Sequence, residues 1–263
     1  MKYSIVTGAC GGLGSAFAKT LASQGKNLIL VGTNKERLEK QKTSLISEYG
    51  NIKIETVVCD QSKKEHRQSF FKDIKAFDIE TAILNAGYID EGPLCNKSDE
   101  QIEGVIRTNC EGTILLGKGL IEKSKKDNQE LSLLVTSSLS AFYPMPQMAI
   151  YAASKSMLLN FFLAMREEER KNNINISVLC PGGIPTTQAM KDAIAAQGLG
   201  GKLSALSPEK IAKIALRGLE KKKAYIVPGF FNKFLKFAGT AVPRTFVARQ
   251  IGRRWSKSQK KRS

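Results

Sequence analysis

Tyr151 and Lys155 are four residues apart in the stretch Tyr151-Ala-Ala-Ser-Lys155, and they share one face if that stretch is helical. A tyrosine phenol has an unperturbed pKa of about 10, so it exchanges protons near neutral pH only where a cation stabilises its phenolate. Lys155 is placed to supply that cation. Taken alone, the pair has an alternative interpretation as an incidental feature of an amphipathic helix, because short motifs often match by chance.

A glycine-rich turn near the start of the chain is the second candidate element. Residues 3–7 predict a short apolar strand, and glycines follow at Gly8, Gly12 and Gly14. Apolar residues then recur every four positions, at Leu13, Phe17 and Leu21, which predicts a helix. Glycines let such a turn adopt positive φ and bring its backbone close to a phosphate at the helix N-terminus. The spacing differs from the G-x-G-x-x-G fingerprint and from the P-loop, and a plain connecting loop is the alternative.

Predicted strands and helices alternate along the rest of the chain. The strands are predicted at 3–7, 26–32, 52–59, 79–84, 131–136, 174–180 and 224–227. Helices are predicted between them at 34–49, capped by Asn34 and stopped by Gly50, and at 62–76, 98–127, 150–171 and from 208. This order predicts an α/β fold, a doubly wound, Rossmann-like parallel sheet with helices on both faces. Its ligand crevice lies beyond the carboxyl ends of the strands.

Composition fits one catalytic domain at 1–229, followed by a basic, amphipathic C-terminal extension at 230–263. The chain has 263 residues, 42% of them hydrophobic. The first strand leaves no room for a signal peptide, and no apolar run reaches the roughly 18 residues of a membrane span, so we expect a cytoplasmic protein. Five widely spaced cysteines without a C-x-x-C pair predict reduced thiols and no metal site. The single histidine, His66, is expected to be solvated on a polar helix.

Several motifs occur together in one order along this chain. They are the glycine turn after Thr7, Asn85-Ala86-Gly87, Asn109, Ser138, the Tyr151/Lys155 pair and Pro181-Gly182. Together they resemble the short-chain dehydrogenase/reductase family, in its compact single-domain branch. The resemblance covers the chain from Lys2 to about Gly229, and it implies an NAD(P)-dependent oxidoreductase.

The resemblance implies a catalytic set of Asn109, Ser138, Tyr151 and Lys155. Ser138 and Tyr151 would donate hydrogen bonds to a substrate carbonyl and stabilise the developing oxyanion, with Tyr151 as general acid or base. Lys155 would lower the pKa of Tyr151 and hold the nicotinamide ribose, and Asn109 would anchor a water that links Lys155 to solvent. Two alternatives remain open. Ser137 could replace Ser138, although the 13-residue spacing to Tyr151 favours Ser138, and Asn109 could merely bond a backbone carbonyl.

The resemblance also implies a cofactor-binding set at the ends of the strands. This set comprises Gly8, Gly12, Leu13, Gly14, Thr33, Asn34, Asp60, Asn85, Ala86, Gly87, Tyr151, Lys155, Pro181, Gly182, Ile184 and Thr186. Within it, Asp60 is assigned to the adenine amino group.

The choice of cofactor depends on the end of the second predicted strand. NAD-dependent members of the family usually carry an acid there, and Thr33-Asn34 has none. The basic residues that often bind the 2′-phosphate of NADP are missing as well, with Gly11 in the turn and Thr33 after the strand. Thr33, Asn34 and Lys35 could bind that phosphate instead. We therefore expect NADP(H), because no carboxylate repels a phosphate, and NAD(H) is the alternative.

The expected substrate is a hydrophobic, lipid-like ketone or secondary alcohol, with reduction the favoured direction. The segment 142–148 is predicted to wall the substrate side, and the small-residue segment 188–207 is predicted to form a mobile lid. The resemblance implies a homodimer or homotetramer. The alternative function is a catalytically idle dinucleotide-binding regulator or scaffold, which has no physical need for a tyrosine beside a cation.

Charge is concentrated at the C-terminal end. Residues 210–263 hold 16 Lys or Arg and one acid, Glu220, so of the net charge of +17 only +2 belongs to residues 1–209. Beyond Gly229, ten basic residues accompany apolar stripes at helical spacing: 230/234/237/241 and 247/251/255. This pattern predicts helices on an anionic membrane surface, making the protein a peripheral membrane protein. A helix pair docked on the domain is the alternative, and nucleic acid is less favoured.

Overall fold

The computed structural model describes residues 1–196 and 198–259, and its centre is one parallel sheet. The strands are β1 (Lys2–Thr7), β2 (Asn27–Gly32), β3 (Ile54–Val58), β4 (Asp78–Leu84), β5 (Leu131–Thr136), β6 (Ile174–Leu179) and β7 (Tyr225–Ile226). Their order is β3-β2-β1-β4-β5-β6-β7, and each neighbouring pair is parallel. The chain reverses direction across the sheet between β3 and β4. The doubly wound, Rossmann-like α/β fold predicted from the sequence is confirmed.

Helices connect the strands and cover both faces. They are α1 (Gly12–Ser23), α2 (Lys35–Tyr49), α3 (Lys64–Asp73), α4 (Asp99–Val105), α5 (Thr113–Lys126), α6 (Ala149–Glu168), α7 (Gln188–Ala196), α8 (Gly198–Ser204), α9 (Pro208–Glu220), α10 (Phe230–Ala241) and α11 (Arg244–Gln259). A π-helical segment, Ile106–Gly112, joins α4 to α5. Asn34 caps α2 by accepting a hydrogen bond from Arg37 N, and Gly50 ends it at φ 68°, both as predicted.

Two apolar cores, one on each face, hold the sheet in place. Alternate residues of a strand point to opposite faces, so Ile5 and Val6 of β1 belong to different cores. The first core includes Phe162 of α6 and residues of α5, and the second includes Phe17 of α1 and residues of α9. Because both faces are buried, the central strands are almost continuously apolar, and their carboxyl ends form a rigid edge for the site.

Two segments differ from the sequence-based expectation. The segment predicted as a mobile lid contains two helices, α7 and α8, and Gly198, the first residue of α8, adopts φ 66°. Alanine, glutamine and methionine in residues 188–196 favour helix, which outweighs the small-residue composition that suggested a loop. The single helix predicted at 98–127 is interrupted by the π-helical segment, which begins three residues before Asn109.

The C-terminal extension forms two helices whose faces differ in exposure. On α10 the outward aromatics Phe230, Phe234 and Phe237 are 88%, 57% and 71% exposed. The opposite face is anchored, since Asn232 donates to Ser204 O and to Pro228 O, at 3.0 and 2.8 Å. Helix α10 is therefore docked on the domain, as the alternative held, but through the face of Asn232 and Leu235, while these three aromatics stay exposed. The side chain of Trp255 and residues 260–263, which were part of the tail prediction, lie outside the described residues.

Within residues 1–196 and 198–259, no helix combines the length and the apolar composition needed to cross a bilayer.

Candidate active site

The glycine turn and the Asn85-Ala86-Gly87 turn lie side by side at the carboxyl ends of β1 and β4. Thr7 Oγ1 accepts hydrogen bonds from Asn85 N and Ala86 N, at 2.9 and 3.0 Å. Gly8 adopts φ +63°, and a Cβ there would lie 3.0 Å from Ala86 Cα. A side chain at position 8 would therefore separate the two turns, and glycine permits both the close approach and the backbone conformation.

The N-terminus of α1 fits the phosphates of a dinucleotide. A Cβ at Gly14 would collide with Gly8 O, and one at Gly12 would collide with the side chain of Thr186. Positions 12 and 14 in the first turn of α1 therefore carry no side chain of their own, and the N–H groups at a helix N-terminus bind phosphate. Leu13 contributes only backbone to this region, because its side chain is buried in the core.

The segment after β6 lies against the same turn. Pro181 O accepts a hydrogen bond from Leu139 N at 2.8 Å, just after Ser138, and Ile184 packs against the second core. Thr186 N donates to Ile184 O at 2.8 Å, which fixes the bend that brings Thr186 onto Gly12. Gly182 lies against Asn232, since a Cβ would approach its amide to 2.7 Å. The C-terminal extension therefore supports the segment that carries the predicted cofactor-binding residues after β6.

A cavity of about 70 Å³ lies beyond the ends of β1, β2 and β3, where the resemblance places adenine. Its lining includes Thr7, Gly8, Gly32, Thr33, Asp60 and Ala86. Asp60 Oδ1 accepts hydrogen bonds from Ser62 N and Ser62 Oγ, at 3.0 and 2.6 Å. Asp60 N donates to His66 Nδ1 at 3.2 Å, and His66 is only partly exposed. The expectation that His66 is merely solvated is wrong, because its ring supports the Asp60 loop.

Arg37 is a residue near the cofactor region that the sequence reasoning missed. Its Nη2 donates to Cys10 O at 2.9 Å, so its guanidinium lies against the glycine turn. Asn34 Oδ1 is engaged in capping α2, while Thr33 is exposed at the end of β2. A signal was present, because the third residue after a helix cap projects back toward the helix N-terminus.

The catalytic set of the sequence prediction converges at the ends of β5 and α6. The Ser138 hydroxyl lies beside the Tyr151 phenol, near enough to lower the pKa of that phenol. Lys155 is buried, and its Nζ lies 5.8 Å from the centroid of the Tyr151 ring and 3.0 Å from Thr136 O. Ser138 also accepts a hydrogen bond from Ser140 N at 3.1 Å, which fixes its rotamer. The structure brings a hydroxyl, a phenol and an amine to one place.

Burial governs the acid–base properties of this group. It raises the pKa of Tyr151 above its usual 10.0, while the hydrogen bond with Ser138 acts in the opposite direction. Burial lowers the pKa of Lys155 from 10.5 to about 8. Tyr151 is therefore a protonated phenol at neutral pH and can donate a proton, and Lys155 is close to the range in which it gains and loses its charge.

Ser137 and Ser138 have different surroundings, and this difference helps to decide which of them is the partner of Tyr151. Ser137 Oγ donates to Lys155 O at 2.7 Å and is buried, so it joins β5 to α6. Ser138, by contrast, lies beside the Tyr151 phenol and lowers its pKa. The geometry favours Ser138 as the partner of Tyr151, in agreement with the spacing.

Asn109 is fully buried in the π-helical segment, and its amide is committed to neighbouring groups. Tyr88 N donates to Asn109 Oδ1 at 2.7 Å, and Asn109 Nδ2 donates to Tyr88 O and Ser154 Oγ. These bonds fix the backbone that follows Gly87. Gly87 itself lies against Lys155, since a Cβ at position 87 would be 3.1 Å from Lys155 Nζ. The alternative, in which the Asn109 side chain bonds a backbone carbonyl, therefore describes its contact with Tyr88 O. A water bound to Asn109 would have to use its main chain, and π-helical segments are frequent at functional sites.

Gln61 is a second residue that the sequence reasoning missed. Its Nε2 donates to Thr108 O, Thr113 Oγ1 and Ala86 O, at 2.7, 3.0 and 3.4 Å. It therefore links the end of β3 to the Asn85-Ala86-Gly87 turn and to the π-helical segment. No sequence signal identified this role, because the partners are 25 to 52 residues away along the chain.

A family model described as short chain dehydrogenase matches residues 2–198. The chain is 28% identical over 261 residues to "Dehydrogenase/reductase SDR family member 7B" of Xenopus laevis, covering 93% of this chain and 79% of that protein. It is 27% identical over 193 residues to "Very-long-chain 3-oxoacyl-CoA reductase" of Anas platyrhynchos, covering 70% of this chain and 60% of the relative. A solved structure described under "7beta-hydroxysteroid dehydrogenase stereoselectivity" superposes with a TM-score of 0.86 at 21% identity, covering 95% of this chain and 96% of the other.

Proposed function

This chain belongs to the short-chain dehydrogenase family of oxidoreductases that act on CH–OH and C=O groups, and we propose that it reduces a hydrophobic ketone with NADPH. The observation that carries this proposal is the convergence of the Ser138 hydroxyl, the Tyr151 phenol and buried Lys155, whose Nζ lies 5.8 Å from the centroid of the Tyr151 ring. When bound at the glycine turn, the nicotinamide dinucleotide would supply the hydride.

The residues of this chain would then act on the carbonyl oxygen. Ser138 and Tyr151 donate hydrogen bonds to it, and those bonds strengthen as negative charge develops on the oxygen. Tyr151 transfers its phenolic proton to that oxygen and completes the alcohol. The Lys155 ammonium stabilises the phenolate that remains, since a positive charge near an acid favours its ionised form. Its hydrogen bond to Thr136 O keeps the amine in position.

NADP(H) is supported over NAD(H) by two features at the start of α2. The end of β2 presents no carboxylate that would repel a 2′-phosphate, and Arg37 places a permanent positive charge against the glycine turn. A guanidinium binds phosphate through two parallel hydrogen bonds, which makes it a suitable partner for that group. Thr33 and Asn34 would contribute a hydroxyl and an amide at the same place.

A hydrophobic substrate is supported by the apolar character of the segment 142–148, which lies between Ser138 and Tyr151 in sequence. Tyr143 is close to Gly239 of α10, and burial raises the pKa of Tyr143 to about 12. The names of the relatives, which include a very-long-chain 3-oxoacyl-CoA reductase, agree with a lipid-like substrate. A homo-oligomer is the assembly we propose from the family.

We also propose that the protein works as a peripheral protein at an anionic membrane surface. The exposed aromatics of α10 and the basic residues of the extension support this role, since amphipathic basic helices bind such surfaces. A hydrophobic substrate dissolved in the bilayer would then be close to the enzyme.

The test of the catalytic proposal is consumption of NADPH with straight-chain ketones of graded length. We expect kcat/KM to rise with chain length until the pocket is filled, because each buried methylene contributes about 0.8 kcal/mol. Dinucleotide binding without turnover on any ketone or secondary alcohol would support the idle regulator instead.

A further inference from the structure

A groove of about 440 Å³ lies along the β7 edge of the sheet, between α9 and α10. Its rim carries five basic side chains, Arg217, Lys221, Lys223, Lys233 and Lys236. Its lining also includes the apolar residues Ile214, Ile226 and Val227, together with Phe237, which is exposed. None of the residues that line it is acidic, and Glu220, the one acid of residues 210–263, is not among them.

Hydrogen bonds from α6 and β6 fix the backbone of the turn between α9 and β7, which carries Lys221 and Lys223. Arg166 Nη2 donates to Lys222 O at 2.7 Å, and Ser177 Oγ donates to Lys223 O at 2.6 Å. Asn175 Nδ2 donates to Leu219 O at 2.9 Å, which satisfies a carbonyl at the end of α9. These bonds fix the backbone of the turn, while the side chains of Lys221 and Lys223 are exposed.

The cations of this rim have no internal counter-charge. Within the described residues, no ion pair links any of the five side chains to a carboxylate. Lys236 instead donates to Tyr225 OH at 2.6 Å and lies 4.4 Å from that ring's centroid. A second copy of the chain placed over the groove by a two-fold axis would oppose like charges, so an anionic occupant is favoured.

An apolar surface continues from the groove onto α10. Phe237 belongs to both, because it lines the groove and lies one helical turn from Phe234 on the exposed stripe. Residues 230, 234 and 237 project away from the face that Asn232 anchors, so the stripe is directed outward. A row of exposed aromatics beside uncompensated cations matches the two layers of a bilayer surface, acyl chains and phosphates.

We propose that this groove binds the phosphate headgroup of an anionic phospholipid while Phe230, Phe234 and Phe237 enter the acyl layer. The inference rests on the membrane association proposed above, and it assigns the headgroup contacts to α9, its turn and α10. It also orients the enzyme, because Lys236 lies 5.3 Å from the ring centroid of Phe142, at the start of the segment expected to wall the substrate side.

The test is sedimentation of the full chain with phosphatidylcholine vesicles that do or do not contain phosphatidic acid. The groove variant is Lys223→Gln with Lys233→Gln, one from each wall, and its matched control is Lys40→Gln with Lys64→Gln. The control removes the same charge from exposed positions on α2 and α3, on the β2–β3 side of the sheet. We expect the groove variant to bind phosphatidic acid vesicles about tenfold more weakly and the control to change less than twofold. Equal losses in the two variants, or none in the groove variant, would overturn the proposal.

Further measurements distinguish this headgroup proposal from membrane binding in general and from other anionic ligands. Phe230→Ser with Phe234→Ser, two exposed aromatics that do not line the groove, should abolish vesicle binding while leaving turnover of a short, water-soluble ketone unchanged, so a failure of the membrane idea is distinct from a failure of the groove. Glycerol phosphate without vesicles should not raise the melting temperature. A rise that the groove variant loses would assign the groove to a soluble phosphate ester and contradict the lipid assignment. Retarded migration of a nucleic acid that depends on the groove, with vesicle binding unaffected, would contradict it equally.

Discussion

Ser137 Oγ donates a hydrogen bond to the main-chain carbonyl of Lys155 at 2.7 Å, while the next residue, Ser138, lies beside the Tyr151 phenol and lowers its pKa. Two adjacent serines therefore make different contacts, one with the scaffold and one with the acid–base group. Ser137 holds α6 at a fixed height against β5, and Ser138 faces the place where a carbonyl oxygen would bind.

This pair permits a matched comparison. We expect Ser138→Ala to lower kcat by roughly 10²-fold, the usual effect of removing one donor to a developing oxyanion. Ser137→Ala should lower the free energy of unfolding by about 1 kcal/mol and retain most of the activity, because it loses only a buried structural hydrogen bond. Steady-state kinetics and thermal melting of both variants provide the check. The reverse pattern would assign the catalytic role to Ser137.

Lys155 provides a prediction about stability. Burial lowers its pKa from 10.5 to about 8, so the unfolded chain binds its proton more tightly than the folded chain does. Below pH 8 this difference opposes folding by roughly 3 kcal/mol, and the opposition disappears as the pH rises from about 8 to 10.5. We expect Lys155→Met without cofactor to be about 2 kcal/mol more stable at pH 7, after about 1 kcal/mol is lost with the bond to Thr136 O.

Urea unfolding of the two proteins at several pH values measures this difference directly. The gain of the variant should shrink steadily above pH 8 and should be accompanied by loss of turnover. A variant that is less stable than the wild type at pH 7 would contradict the interpretation of Lys155 as a buried charge.

Arg37 provides a prediction about cofactor choice. We expect Arg37→Gln to weaken NADPH binding about tenfold or more and to leave NADH binding nearly unchanged, because a charged hydrogen bond to the 2′-phosphate would be lost. Thr33→Asp should reverse the preference by adding a carboxylate at the end of β2. Lys40→Gln, an exposed change on the same helix, is the control. Titration of cofactor fluorescence measures all four proteins, and equal affinities of the wild type for both cofactors would contradict the NADP assignment.

The fold could be predicted from local patterns because its elements carry their own boundary residues. Asn34 and Gly50 mark both ends of α2, and Ser207-Pro208 marks the start of α9, where Ser207 Oγ accepts from Lys210 N. The helices α7 and α8 of the lid segment were not predicted, since helix propensity in residues 188–196 competes with the glycines that follow. The face of α10 that contacts the domain depends on Asn232 and on Ser204, 28 residues away in the chain. Periodicity predicts two faces and does not say which one is buried.

The candidate site likewise contains residues that local patterns predict and residues that they do not. Motif residues such as Tyr151, Lys155 and Ser138 could be identified by their spacing, because one helix and one strand end place them. Arg37 and Gln61 could not, because their roles arise from contacts between distant segments, such as Arg37 with Cys10 O across 27 residues. The basic groove likewise takes its side chains from α9, its following turn and α10, so only the folded chain brings those charges together.

The central claim is that Tyr151 transfers the proton during reduction of a ketone. The most direct measurement is the kcat of Tyr151→Phe with NADPH and the best ketone of the chain-length series, together with NADPH binding by the same variant. The substitution removes the phenolic oxygen and leaves the glycine turn and Lys155 in place. We expect unchanged cofactor affinity and a fall in kcat of at least about 100-fold, since proton transfer and oxyanion stabilisation are lost together. A variant that keeps more than about a tenth of the wild-type activity would contradict the role assigned to Tyr151.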